Sequence, residues 1–140
     1  GVVPYGEGDV DKAIAVNVLS FGFKHGLPQD ADLVFDVRFI PNPFYIPEMR
    51  PLTGADAPVH DYVMSFEETR VFLNKTLDLL KFLIPHYVSE GKDRLVIAVG
   101  CTGGQHRSVC LTNEIAKGLK AVGFHATASH RDTQIETKEK

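Results

Sequence analysis

Cysteine, long apolar runs and any large excess of one charge are what this chain has least of, and each shortage removes a class of protein. Two cysteines, Cys101 and Cys110, are too few for a disulfide framework, so a reducing cytoplasmic setting is expected. No apolar run approaches the roughly 20 residues that cross a bilayer, and no signal peptide is visible, so no membrane partner is expected. The net charge of -3 over 140 residues does not announce a nucleic-acid binder, although it leaves room for a local basic face. No Gly-x4-Gly-Lys-Ser/Thr stretch exists, which excludes the usual triphosphate-binding loop. The histidines His25, His60, His86, His106, His125 and His130 show no ligand spacing such as His-x3-His, so no metal site is expected. There is no internal repeat.

What is present centres on residues 95–108, LVIAVGCTGGQHRS. Residues 95–99 are short, apolar and β-rich, the pattern of a buried parallel strand. Gly103 and Gly104 let the next turn bring backbone close to a ligand. A helix starting near Arg107 would aim its free N–H groups and its positive dipole end at that turn. Cys101, Thr102, His106, Arg107 and Ser108 crowd the same place. A strand, a glycine loop, a helix start and an arginine together make a site for a phosphate or another oxyanion.

Around this centre the chain reads as one α/β domain with a mainly parallel sheet of about four strands and covering helices. Residues 1–12 look like a linker or mobile terminus, residues 13–131 like the domain, and 132–140 like a frayed tail. Strands are expected at 13–21, 33–40, 95–100 and 124–130. The span 41–58 holds five prolines and reads as a long stiff loop, with Asn42, Phe44, Tyr45, Arg50, Thr53 and Gly54 as its candidate contacts. Its aromatics read as core or interface anchors. Ser65 and Glu68 have the spacing of a capping box, so a helix should begin at Ser65 and run to Pro85 or to the Ser89/Gly91 stop. A second helix spans 107–121. Asp36 and Arg38, two apart, should share a strand face, either as an ion pair or as a polar corner at the ligand edge of the sheet.

In a parallel sheet the ends of these strands share an edge, so Lys24, His25, Arg38, His106, Arg107, His130 and Arg131 are expected to converge into one basic pocket for a phosphorylated metabolite or an RNA phosphate. Lys117, Lys120 and Arg131 are the candidates for an RNA face. Cys101 and Arg107 also fit Cys-x5-Arg followed by Ser, which resembles the loop of cysteine-dependent phosphatases. Cys101 would then be the nucleophile and Asp36, Asp56 or Asp61 the general acid. Gly100 stands where those enzymes usually have His.

Several longer stretches, SFGFKHGLPQDADLVFDVRFIPNPF, MRPLTG, GCTGGQHRSV and SHRD, resemble the C-terminal domain of the RapZ/YvcJ family over residues 18–132. That resemblance implies a phosphofructokinase-like α/β fold and a non-catalytic sensory domain without a cofactor of its own. It implies a phosphosugar ligand, glucosamine-6-phosphate in the family, sensed through Lys24, His25, Asp36, Arg38, Asn42, Thr102, Gly103, Gly104, His106, Arg107 and Ser108, with Arg107 and His106 expected on the phosphate and Asp36 on the sugar's amine or hydroxyls. It further implies small regulatory RNAs of amino-sugar synthesis and a ribonuclease as partners, and a homo-oligomer. In the family, ATP or GTP belongs to an N-terminal P-loop domain that this sequence lacks. The first residue is Gly rather than Met, so a fragment of a longer protein is expected. The tail TQIETKEK mixes acid with base and places the chain nearer the YvcJ branch.

Overall fold

The computed structural model describes residues 13–133, and the expectations for 1–12 and for the tail from 134 onward lie outside the described residues. Four strands, β1 (Ala15–Gly22), β2 (Leu33–Asp36), β3 (Arg94–Cys101) and β4 (His125–His130), form one sheet in the order β2-β3-β1-β4. Every pairing is parallel. The helices are α1 (Ala57–Met64), α2 (Glu67–Ser89) and α3 (Arg107–Ala121). The fold is α/β, as the alternation of strand and helix patterns requires.

β3 has a neighbour on each side and is buried along almost all of its length, which explains its nearly unbroken apolar run. Val16 and Val18 of β1 join Leu95, Ile97 and Val99 of β3 beneath α2 and α3. The helices contribute Leu80, Ile84 and Val88 from α2, and Leu111, Ile115 and Leu119 from α3. Spacings of three and four place these on one face of each helix.

The register sets the place of the site. Gly22 stands beside Cys101, Asp36 beside Gly100 and Ser20 beside His130, so all four strands end along one edge. β1 and β3 are neighbours, yet β1 leads to β2 at one edge and β3 leads, through α3, to β4 at the other. That divergence opens a crevice at the carboxyl ends.

Three local expectations are corrected. α2 begins at Glu67 with Phe66 as its N-cap and no side-chain cap, so Ser65 and Glu68 form no capping box. Ser65 instead closes α1, its N–H and its Oγ both donating to the Tyr62 carbonyl. α1 itself occupies the end of the span read as loop, because Pro58 sits in its first turn, where a missing N–H costs nothing. Strand β2 stops at Asp36 and not at residue 40, because the Asp36 carboxylate accepts the Arg38 N–H at 2.9 Å and turns the chain. α2 runs through Pro85 and ends at Ser89, with Gly91 at φ 95° donating to Val88.

Candidate anion-binding site

The loop after β3 is pinned by glycines. Gly104 has φ 79°, and a Cβ there would lie 2.7 Å from the Gly22 nitrogen. A Cβ on Gly22 would lie 2.4 Å from the Gly103 carbonyl carbon. Backbone therefore crosses backbone with no room for side chains, and the Lys24 N–H donates to the Thr102 carbonyl beside the crossing at 3.2 Å. A cavity of about 210 Å³ opens over this loop, lined by Lys24, Asn42, Phe44, Tyr45, Cys101, Thr102, Gly103, Gln105, His106 and Arg107.

Arg107 opens α3 and is only 4% exposed. Its Nη1 donates to the carbonyls of Arg38 at 2.9 Å and Ile40 at 2.8 Å, and its Nη2 makes a long contact of 3.4 Å with Thr102 Oγ1. All three acceptors are neutral. Among the described residues no carboxylate lies within ion-pair distance of the guanidinium, and its buried Nε has no partner. Among the described residues no carboxylate lines the cavity. A buried cation in this state is met only by neutral acceptors and, from beyond ion-pair distance, by the Asp36 charge, so an anion in the cavity would offset more of its desolvation cost. His106 is also buried, and its Nε2 faces the carbonyls of Met49 at 3.1 Å and Arg50 at 3.3 Å, so that nitrogen carries a proton and donates. Burial, followed by the Arg107 charge and opposed by these carbonyls, holds the His106 pKa below its ordinary value and favours the neutral ring. Cys101 is buried at the end of β3, and its Sγ donates to Ser108 Oγ at 3.1 Å.

His106 and Arg107 thus fasten the strap of residues 38–54 over the loop through its carbonyls, and Gly54 completes the seam by donating to the Gln105 carbonyl at 2.9 Å. The match to known families now decides what this arrangement belongs to. Residues 14–134 match the model of the RapZ C-terminal domain family. This chain belongs to the RapZ C-terminal domain family. It is 59% identical over 126 residues to a protein of Bacillus thuringiensis (strain Al Hakam) named nucleotide-binding protein, covering 90% of this chain and 43% of that protein. A Clostridium perfringens (strain SM101 / Type A) protein with the same name is 56% identical over 129 residues, covering 91% and 44%. One from Staphylococcus epidermidis is 55% identical over 130 residues, covering 92% and 43%. The chain spans less than half the length of these relatives.

In this RapZ-type domain the expected convergence is partial. Lys24, Asn42, Cys101, Thr102, Gly103, His106 and Arg107 line the cavity, whereas His25, Asp36, Arg38, Gly104, Ser108, His130 and Arg131 do not. Asp36 and Arg38 satisfy each other: Nη2 and Oδ2 are 2.6 Å apart, and the guanidinium lies 3.9 Å over the Phe23 ring. Hydrogen bonding to Arg38 keeps the Asp36 carboxyl below its ordinary pKa. They do not share a strand face, since the chain turns between them. His130 is held between Ser20 Oγ at 2.7 Å and Asn113 Oδ1 at 3.0 Å, and Arg131 reaches the Gly26 carbonyl and Asp132. Gly104 makes the crossing with Gly22, and Ser108 Oγ accepts from Cys101 Sγ. Lys117 and Lys120 are exposed on the outer side of α3.

Phe44 and Tyr45 are found on the cavity wall and not as core anchors, and Tyr45 is 75% exposed. Gln105 and Asp132 were not singled out by sequence reasoning. Asp132 is 3% exposed and hydrogen-bonded, so the expected frayed tail does not include its first residue. Its place in the SHRD stretch was the available signal. Among the described residues no group of three or more His, Cys, Asp or Glu side chains could hold a metal ion, and no helix is long and apolar enough to cross a membrane.

Proposed function

We propose that this domain binds a phosphorylated small molecule, a phosphorylated amino sugar such as glucosamine-6-phosphate, with its phosphate in the cavity over residues 101–107. The supporting observation is the Arg107 guanidinium, buried in the cavity wall without a carboxylate and with a free Nε. The start of α3, the backbone N–H groups of the loop and the Lys24 ammonium add positive potential. Phe44 and Tyr45 give the opposite wall an apolar face suited to the carbon face of a sugar. Asp36 is occupied by Arg38, so this reading leaves the amine to be recognised elsewhere in the cavity. The name of the relatives suggests a nucleoside phosphate, which carries the same group and belongs among the competitors. Small-RNA binding and delivery to a ribonuclease, implied by the family resemblance, would use exposed basic residues such as Lys117 and Lys120.

Calorimetric titration with glucosamine-6-phosphate, glucosamine, ATP and inorganic phosphate tests the reading. Glucosamine-6-phosphate is expected to bind more tightly than phosphate, and glucosamine not at all. Arg107→Lys keeps the charge but loses the planar fork, and it should weaken phosphosugar binding about tenfold or more. Unchanged affinity in that variant removes the assignment. Preferential binding of RNA, weakening steeply as salt rises, would favour the adapter role instead.

A further inference from the structure

Asp132 follows β4 and packs against the glycine loop without itself lining the cavity. Its Oδ2 accepts the Gly22 N–H at 2.7 Å. Its carbonyl accepts from Gln105 Nε2 at 2.9 Å. Arg131 fixes the carboxylate from the other side, with Nε 2.9 Å from Oδ1 and Nη2 2.9 Å from Oδ2. The same Nη2 donates to the Gly26 carbonyl at 2.6 Å, so the turn that carries Lys24 is tied to this carboxylate through Arg131. A Cβ on Gly104 would lie 3.0 Å from the Asp132 Cβ, so the residue packs directly under the crossing of residue 22 with residues 103 and 104.

A buried carboxylate is costly unless each of its oxygens is satisfied. Burial pushes the Asp132 carboxyl up, but Arg131 and the Gly22 N–H outweigh it and hold the group below its ordinary pKa, so it is ionised at neutral pH. Asp132 thereby joins three backbone segments that are distant in sequence: from the end of β4, its carboxylate holds the end of β1 and its main-chain carbonyl holds the loop after β3.

We propose that Asp132 is a positioning residue for the anion site, holding the Gly22 corner and the residue 103–105 loop together so that Lys24 and the loop backbone stand at the right height on the cavity rim. The proposal rests on the phosphate reading above for its consequence in binding, and on geometry alone for its consequence in the unliganded chain.

Two measurements test it. In the unliganded protein, Asp132→Ala should shift the amide resonances of Lys24, Thr102 and Gly103, none of which touches Asp132; resonances that stay in place overturn the proposal. In calorimetry with inorganic phosphate and glucosamine-6-phosphate, Asp132→Ala should weaken binding roughly tenfold, the order that loss of an outer-shell partner costs a positioned site. Asp132→Asn keeps an acceptor for Gly22 but turns its NH2 toward the Arg131 Nε–H, so it should restore only part of that loss. Leu119→Ala, in the core, should lower the melting temperature without changing the dissociation constants, which separates positioning from general destabilisation. Wild-type affinity in Asp132→Ala overturns the proposal. If Asp132→Ala does not fold, Asp132→Ser, too short to reach the Gly22 N–H, is read in the same way. If the wild type binds neither ligand, the phosphate reading fails, while the amide shifts still decide the positioning role.

Discussion

Arg107 shows how much one side chain does here. Its Nη1 fastens the 38–40 turn, and its Nε is left for something else. Cys101 shows the limit of pattern. Its spacing to Arg107 and its contact with Ser108 Oγ agree with a phosphatase loop, but the cavity has no carboxylic acid to protonate a leaving group. Asp36 is paired with Arg38, while Asp61 lies against His60 on α1. Any hydrolysis of a generic aryl phosphate by this chain should therefore be unchanged in Cys101→Ser; turnover abolished by that substitution would restore the nucleophile reading. Arg107 and His106 were legible because a glycine loop before a helix advertises its own chemistry. Their acceptors were not. They are the carbonyls of Arg38, Ile40, Met49 and Arg50, and a carbonyl leaves no trace in the sequence.

At the scale of elements, the strap of residues 38–54 is seated so closely that its fit can be tested at one glycine. A Cβ on Gly54 would fall 2.1 Å from the His106 carbonyl oxygen and 2.5 Å from the Cys110 nitrogen, both backbone atoms that cannot swing aside. Gly54→Ala should destabilise the fold by about 1–3 kcal/mol and lift the strap from the cavity. Gly26→Ala has open space and only an unfavourable φ of 89° to contend with, and should cost about 1 kcal/mol by urea denaturation. Equal losses in the two variants would mean that the seam is looser than it looks. Strands β1 and β3 and helix α3 were legible because their apolar patterns report burial directly, whereas β4 buries only Ala126. The first turn of α2 was misread because Ser65 satisfies α1, and a cap motif does not say which neighbouring helix it serves. Convergence on the cavity was overestimated at Arg38, His130 and Arg131. Shared strand ends bring backbones together, but local partners such as Asp36, Ser20 and Asp132 decide where the side chains go.

Across the whole molecule, three histidines give stability opposing dependences on pH. Burial depresses His106 and His130, so the unfolded chain takes up protons more readily and stability falls as pH drops through their ordinary value of 6.5. His60 is raised by Asp61 and then Glu114, linking α1 to α3; its contribution is complete below 6.5 and is lost as pH rises through its higher folded-state value. Acidification from about pH 7.5 to about pH 5.5 should therefore reduce the urea midpoint only modestly in the wild type and more steeply in His60→Gln. Parallel curves would show that the His60 bridge contributes nothing to folding. The remaining consequence follows from how the strap is held. Hydrogen bonds to carbonyls make no demand on residue identity, so Phe44 and Tyr45 can be exchanged without unfastening the wall they stand on, while Asn42, whose Oδ1 accepts the Phe44 N–H, keeps their turn in shape. On the phosphate reading proposed above, that end of the cavity is fixed by α3 and its loop, while the facing end is an editable surface: the same scaffold could be turned from one phosphorylated compound to another, by drift or by design, through a few side chains.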